Sequence, residues 1–355
     1  MIPALYAGMW RRTLLAVAIA GGLLGLRLGS ARLHPATTSG MFREQRSLMG
    51  TVWNIEVPEN GRPAEEARKA VAAAYQELVR IDALMSEWRP DSPISQVDAA
   101  AGDHAVEVPA ELRQLIERSI GYSEKTQGTF DVTWRGMGRI WHFDDTFAVP
   151  AAESVARARK NIDYRKIRIE GNRVYLPKNM SIGLGGVAKG YAVDRAAAVL
   201  AAKGFRDSLV DGGGDVLASG RRYGQRWRLG VQDPRGAHGE LLGAVEVSDA
   251  AVVTSGDYER FRVVDGVRYH HIIDPRTGWP ARASIAVTVM AKSAEVGVAL
   301  EKGVFILGPV EGMDLARAAG LEVMEIDAGN RRHCSAGFAR VFRGVGGGGC
   351  EAGGR

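Results

Sequence analysis

The chain carries 355 residues, 46% hydrophobic and 25% charged, with a formal net charge of +5. That balance describes a globular protein with room for one large or two ordinary domains, and it excludes a disordered or collagenous chain. Basic residues alternate with Asp and Glu instead of forming a block, so nothing supports a nucleic-acid face.

At the start, Arg11-Arg12 precede an apolar run from Leu14 to Leu26, closed by Arg27 and followed by Gly29-Ser30-Ala31. The run is too short for a membrane span, which needs about 20 residues. Residues 1–31 therefore read as an export signal, with a passable twin-arginine pattern, which places the protein in the periplasm. Contact with a membrane is expected only through an uncleaved signal.

A strand is expected over Ser47–Val57, entered through Met49-Gly50-Thr51. Pro63 with Glu65 and Glu66 opens a helix whose buried face is Val71, Ala74, Leu78, Ile81 and Met85. A loop, SEWRPDSPIS, leads to a second helix near Ala110–Glu124 and then to the loop TQGTFDVTWRGMGRIWHF. A short helix near Pro150–Lys160 and strands near Ile167–Ile169 and Val174–Leu176 follow. A third long helix over Val187–Lys203 is stopped by Gly204. Strands then dominate: Ser208–Val210, Trp227–Val231, Ala244–Val247, Ala251–Thr254, Phe261–Val264 and Ile285–Met290. A last helix near Val310–Ala319 and a strand near Glu322–Ile326 complete the pattern. Without regular βαβ alternation, the expected class is α+β.

The main domain is expected over 32–343, with a Gly-rich disordered tail over 344–355. Cys334 and Cys350 lack Cys-x-x-Cys spacing, so no zinc or thioredoxin-like site is indicated. Two isolated thiols are the expectation, and an oxidising compartment would permit a bridge.

The segment GLGGVAKG follows a strand and opens a helix. Gly183, Gly185 and Gly186 would let the backbone approach a diphosphate, and the helix start offers N–H donors. Lys189, in the first turn, would add a charge-assisted contact. A tight strand-to-helix turn with a solvated lysine explains the same residues about equally well. Asp211-Gly212-Gly213-Gly214-Asp215 reads as a bulge or turn. The densest polar stretches are TSGDYER, with Asp257, and HHIIDPRTG, with His271, Asp274 and Thr277. Both present groups suited to an anionic, hydrogen-bond-rich ligand. Of the two adjacent histidines one faces the site and the other does not, because neighbours on a strand point oppositely. Asp274 is a catalytic candidate with His271 and Lys302, and it also suits a purely structural turn, bonding its own backbone. Trp88 and Met49 offer faces for a planar ring, though core packing accounts for either alone.

Taken in order, Met-Gly-Thr, Ser-x-Trp-Arg-Pro-x-Ser, Gly-x-Phe-Asp-Val-Thr, Leu-Gly-Gly-Val-Ala-Lys-Gly-Tyr-Ala-Val-Asp, Gly-Gly-Asp, Thr-Ser-Gly-Asp-Tyr and His-Ile-Ile-Asp-Pro-x-Thr-Gly resemble the ApbE family of flavin transferases. The likeness runs from about Met49 to Phe342. It implies an ApbE-like α+β fold related to the T-fold. It also implies FAD as substrate, transfer of FMN to a Thr or Ser of a client flavoprotein, and release of AMP. Clients of exported relatives are Nqr- and Rnf-type subunits or the regulator NosR, among which the sequence does not choose. By the same resemblance Met49 and Trp88 would lie against the flavin. Thr129, Phe130, Asp131, Lys189 and Ile273 would cradle FAD, and His271 would sit near the phosphates.

The chain departs from the family where Mg²⁺ is expected. An Asp and a Thr that bind the ion are replaced by Val298 and Lys302, and an Asp before Leu-Gly-Gly is replaced by Gly183. Val and Lys side chains offer no oxygen ligand, and the Gly186 carbonyl alone makes no site. Either the Lys302 ammonium takes over the ion's charge, or the protein binds FAD without transferring it. A Rossmann-type oxidoreductase using FAD or NAD is a third class, and it would need βαβ units after Gly183 that the sequence lacks.

Overall fold

The computed structural model describes residues 40–237 and 239–350. The expected export segment lies outside them. The fold is α+β, built on one eight-stranded sheet whose order in space follows the chain. Its strands are β1 (Met41–Leu48), β2 (Thr51–Pro58), β3 (Ser208–Gly212), β4 (Val216–Ser219), β5 (Ala250–Gly256), β6 (Ser284–Ala291), β7 (Glu322–Asp327) and β8 (Arg332–Cys334). Every neighbouring pair is antiparallel.

Where one strand was expected over Ser47–Val57, the chain forms a hairpin. Met49 (φ 51°) and Gly50 (φ 71°) are its two loop residues. Both dihedrals are positive, as the tight turn that matches strand twist requires. A methionine rarely occupies that conformation, so the hairpin fixes Met49 at some conformational cost.

The helices are α1 (Ala64–Met85), α2 (Pro93–Ala99), α3 (Ala110–Lys125), α4 (Ala152–Arg159), α5 (Ala188–Ala202), α6 (Ala294–Ala318) and α7 (Ala336–Val341). α1 buries the expected stripe of Val71, Ala74, Leu78, Ile81 and Met85. α5 packs between α1 and α6, and α6 lies across β5, β6 and β7. The opposite face of the sheet carries α7 and a three-stranded sheet of Trp227–Gln232, Leu241–Val247 and Phe342–Gly344. Central strands are therefore buried on both sides. Ala251 and Val253 of β5 enter one core while Val252 enters the other. Two-sided burial favours nearly continuous apolar strands over alternating ones.

Other segments differ from expectation as well: α2 starts inside the expected loop SEWRPDSPIS. The helix expected over Val310–Ala319 begins sixteen residues earlier at Ala294 and breaks at Gly308 (φ 81°), before Pro309. Gly-Pro reads locally as a boundary. The part before the break is buried nearly all round, so it shows no polar stripe to mark it as a helix. Its start is held by Ser293, which caps Val296 N–H, and by Asp194 of α5, which accepts from the Ala294 and Glu295 N–H groups.

The tail is a further difference. Phe342–Gly344 pairs with Leu241–Val247, the chain turns back, and Cys334 and Cys350 form a disulfide with their Cα atoms 6.0 Å apart. Residues 344–350 are thus tied to β8 instead of standing free. Among the described residues, no helix is long and apolar enough to cross a membrane.

Candidate functional site

Gly183–Gly186 leads into α5 from a stretch that is not the expected strand, and its glycines answer to packing first. A Cβ on Gly183 (φ −113°) would stand 2.7 Å from the Trp134 indole nitrogen, and one on Gly186 would stand 2.9 Å from the Phe130 ring. Gly185 is less crowded, with only the Glu87 carboxylate nearby at 3.3 Å. α5 then begins with no side chain capping its first N–H groups, leaving donors and the positive end of the dipole at this spot. Phe130 is buried and forms the wall behind Gly186.

The side chain of Lys302 on α6 passes beside that loop, its Cδ 3.7 Å from where a Gly186 Cβ would stand. Its ammonium donates to the Val298 carbonyl and to Glu301 Oε1, both at 3.1 Å. Glu301 is 1% exposed, and its Oε1 also accepts from Ser255 Oγ of β5 at 2.9 Å. Its Oε2 is buried without a partner. Burial pushes the Glu301 carboxyl up, against the pull of Lys302.

Lys189, on the first turn of α5, lies 2.8 Å from Asp215 Oδ2. That oxygen makes no aligned hydrogen bond, so the contact is an ion pair. Burial works against the Lys189 ammonium, but Asp215 outweighs it and the pKa rises. The two pairs lie close enough for Glu301 to act on Lys189 and Asp215 on Glu301, and Arg260 adds a third cation that acts on both Lys189 and His271.

The two histidines divide as alternation requires. His270 is buried, with Nε2 donating to the Ala281 carbonyl at 2.8 Å and Nδ1 accepting from Ile272 N–H. His271 has a buried Nδ1 with no partner. Desolvation, aided by Lys302, holds its pKa down at about 4, so it is a neutral ring at neutral pH.

Other expected residues serve the scaffold. The Thr129 hydroxyl donates to the Thr126 carbonyl. Asp131 accepts from Thr133 N–H and Oγ1 and from Tyr164 N–H, which uses both carboxylate oxygens inside the fold. Asp257 is held bidentately by Arg235 at 2.7 Å. Asp274 is clasped by Arg276 and accepts its backbone N–H, so its carboxylate is spent on the turn. Thr277 Oγ1 bonds within the same turn, and Ile273 belongs to a small aromatic-rich core with Trp141. Among the described residues, none of these side chains bonds Lys189 or Lys302.

On the other side of Gly185, Trp88 is 86% exposed, which rules out the core-packing explanation for it. It borders a pocket of about 320 Å³ lined also by Glu87, Asp98, Arg135 and Arg139. Arg135 bridges Glu87 and Asp98. Burial pushes Glu87 up to about 7. A second depression, on the small sheet near Arg168, Arg173 and Tyr175, holds none of the groups described above. Met49 packs half-buried against the main core at its turn.

Glu301, Ser255, Asp215 and Arg135 were not singled out as site residues in the sequence. Only TSGDYER and GGGD flagged two of them. Glu301 gave no signal, because a charged residue inside an unrecognised helix looks like surface.

Mg²⁺ does not fit this donor set. The Val298 carbonyl and Glu301 Oε1 already accept from the Lys302 ammonium, and among the described residues no three His, Cys, Asp or Glu side chains gather to hold an ion. A divalent ion needs several free hard oxygens.

Comparison with known proteins places the whole arrangement in context. The profile of the ApbE family matches residues 49–325. An FAD:protein FMN transferase of Treponema pallidum (strain Nichols) is 33% identical, over 83% of this chain and 87% of its own length. One of Vibrio cholerae (strain O395) is 30% identical, over 82% and 89%. Among solved structures, the apbe protein of Thermotoga maritima superposes with a TM-score of 0.78 at 30% identity. It covers 86% of this chain and 100% of that one. Flavin transferase ApbE from Vibrio cholerae gives 0.77 at 27%, over 85% and 99%.

Proposed function

This chain belongs to the ApbE family, and from that premise we propose that it is an FAD:protein FMN transferase. A Thr or Ser hydroxyl of a client attacks the FMN-side phosphorus of FAD. The new P–O bond forms as the bond to the AMP phosphate breaks, and AMP leaves while the hydroxyl gives up its proton. The observation that carries this reading is the meeting of two lysines, a helix start and an unpartnered neutral histidine at one glycine loop.

Chemistry of this kind needs alignment and charge neutralisation more than covalent help. Lys302 and Lys189 supply point charges suited to a diphosphate. Neutral His271 has a free nitrogen to take the client's proton. An arriving diphosphate raises the basicity of that ring by its own negative charge. The exposed Trp88 beside the pocket suits the face of a flavin. Transfer then runs without Mg²⁺, the Lys302 ammonium standing in for the ion.

The client is an electron-transfer flavoprotein outside the cytoplasm, of the Nqr, Rnf or NosR kind. The Cys334–Cys350 disulfide and the Leu14–Leu26 run behind two arginines support a periplasmic location.

The test is incubation with FAD and a Thr-bearing Nqr-type domain, in EDTA and in Mg²⁺. A fluorescent client band and an equal amount of AMP in both conditions are expected. Yellow protein that releases no AMP would reduce the function to FAD binding. Activity abolished by EDTA would reject the metal-free mechanism.

A further inference from the structure

We propose that Glu301 is a positioning residue, whose carboxylate, anchored by Ser255, holds the Lys302 ammonium against the glycine loop where the diphosphate of FAD is handled. The proposal rests on the FAD reading above and adds to it the group that makes the lysine effective.

Glu301 is costly where it stands. It is 1% exposed on a helix that is apolar nearly all round, and one of its oxygens has no partner. A buried carboxylate left partly unsatisfied destabilises a fold, and an aliphatic side chain of similar size would pack there without that cost. Packing therefore gives no reason for the residue. Its contacts do. Oε1 sits between the Ser255 hydroxyl at 2.9 Å and the Lys302 ammonium at 3.1 Å, so a strand and a helix together fix the carboxylate.

Lys302 needs such a holder. A lysine head on four methylenes is mobile, and here it shares the site with two other cations, Lys189 and Arg260. The Val298 carbonyl and Glu301 together occupy two of its three donors. The third remains for a ligand, and the side chain keeps 28% exposure. A bound metal is fixed by its ligands; an ammonium in the same role must be fixed by a partner. The geometry assigns that part to Glu301.

Rate and affinity should separate. Glu301→Gln keeps the volume and an acceptor for Ser255 but removes the charge that holds the lysine. Affinity for FAD, read by flavin fluorescence, is expected to stay unchanged or tighten, because a negative group near the diphosphate has gone. The rate of FMN transfer to a Thr-bearing Nqr-type domain is expected to fall roughly tenfold, about the worth of one charged hydrogen bond. In a Lys302→Ala background the same change should alter the rate by less than about twofold, since Glu301 then has nothing to position.

Equal losses in both backgrounds would overturn the proposal, as would an unchanged rate in the single variant. If Glu301→Gln does not fold, Glu301→Asp keeps the charge one methylene short of the lysine. The same rate loss is then expected, and a wild-type rate would overturn the assignment. Wild-type protein that binds FAD while both variants behave normally defeats this inference alone. Wild-type protein that binds no FAD defeats the functional reading and this one with it.

Discussion

On the metal-free transfer proposed above, replacing Val298 with Asp and Lys302 with Thr should make the reaction depend on Mg²⁺. The two positions are four residues apart on α6, on one face of the helix, and the Val298 carbonyl already accepts from the Lys302 ammonium. An Asp carboxylate at 298 and a Thr hydroxyl at 302 would bring oxygen ligands to the turn of α6 that now holds the ammonium. The charge arithmetic is direct. Losing Lys302 removes one positive charge and Val298→Asp adds one negative charge, a change of −2 that a single divalent ion restores. Without metal, the variant loses a charged contact to phosphate worth about 1.5–3 kcal/mol. That is a rate loss of roughly 10–150-fold. It also carries a new carboxylate near Glu301 with nothing to balance it. With millimolar Mg²⁺ most of the rate should return. The assay is client fluorescence on a gel together with AMP release, in EDTA and in Mg²⁺, beside the wild type. A double variant as active in EDTA as the wild type would refute the idea that Lys302 supplies the ion's charge. A variant rescued by Mg²⁺ beside a wild type that EDTA inactivates would refute it as well.

Two buried groups should pull stability in opposite directions with pH. The pKa of His271 is lowered from 6.5 to about 4, so its contribution is full above pH 6.5 and is lost as pH falls toward 4. The pKa of Glu325 is raised from 4.5 to about 7 by burial, so its contribution is full below pH 4.5 and is lost as pH rises through 7. Glu325→Gln, which keeps an acceptor for Ser284, should therefore raise the melting temperature at pH 8. The limit of that gain is about 3 kcal/mol, and it should vanish by pH 4. An equal gain at both pH values would show that the carboxyl is not the source. Separately, Cys350→Ser opens a loop closed across a separation of 16 residues and should cost about 3 kcal/mol. Thermal melting with and without reductant checks it: reductant should lower the wild type to the level of the variant, and unaltered melting would reject a stabilising tether.

Much of the fold was legible because periodicity survives in the sequence. α1 and α3 carry one apolar stripe each, so their starts fell within a residue of expectation. The glycine-rich loop and the HHIIDPRTG stretch also announced themselves, since their residue types make sense only in turns or at a ligand. What escaped was hidden by burial. The first part of α6 has no polar face, and Gly308-Pro309 splits it, so neither the helix nor Glu301 within it could be read. The Met49 turn was hidden for another reason, because a methionine at positive φ has no local signature.

By itself the sequence determined the chemistry on offer: lysines, a histidine pair, glycine turns, and side chains without an oxygen at Gly183, Val298 and Lys302. Residue identity is enough for that, because an ammonium cannot act as a carboxylate wherever it stands. Only the tertiary structure decided which of those groups are free. Asp257 is consumed by Arg235 and one oxygen of Asp131 by Tyr164 N–H, partners that only folding brings close, whereas His271 and Lys302 keep an unspent nitrogen or donor. Hydrogen-bond capacity is finite, and how it is shared depends on partners from separate segments, such as Ser255 of β5 at Glu301 of α6, which no local pattern encodes.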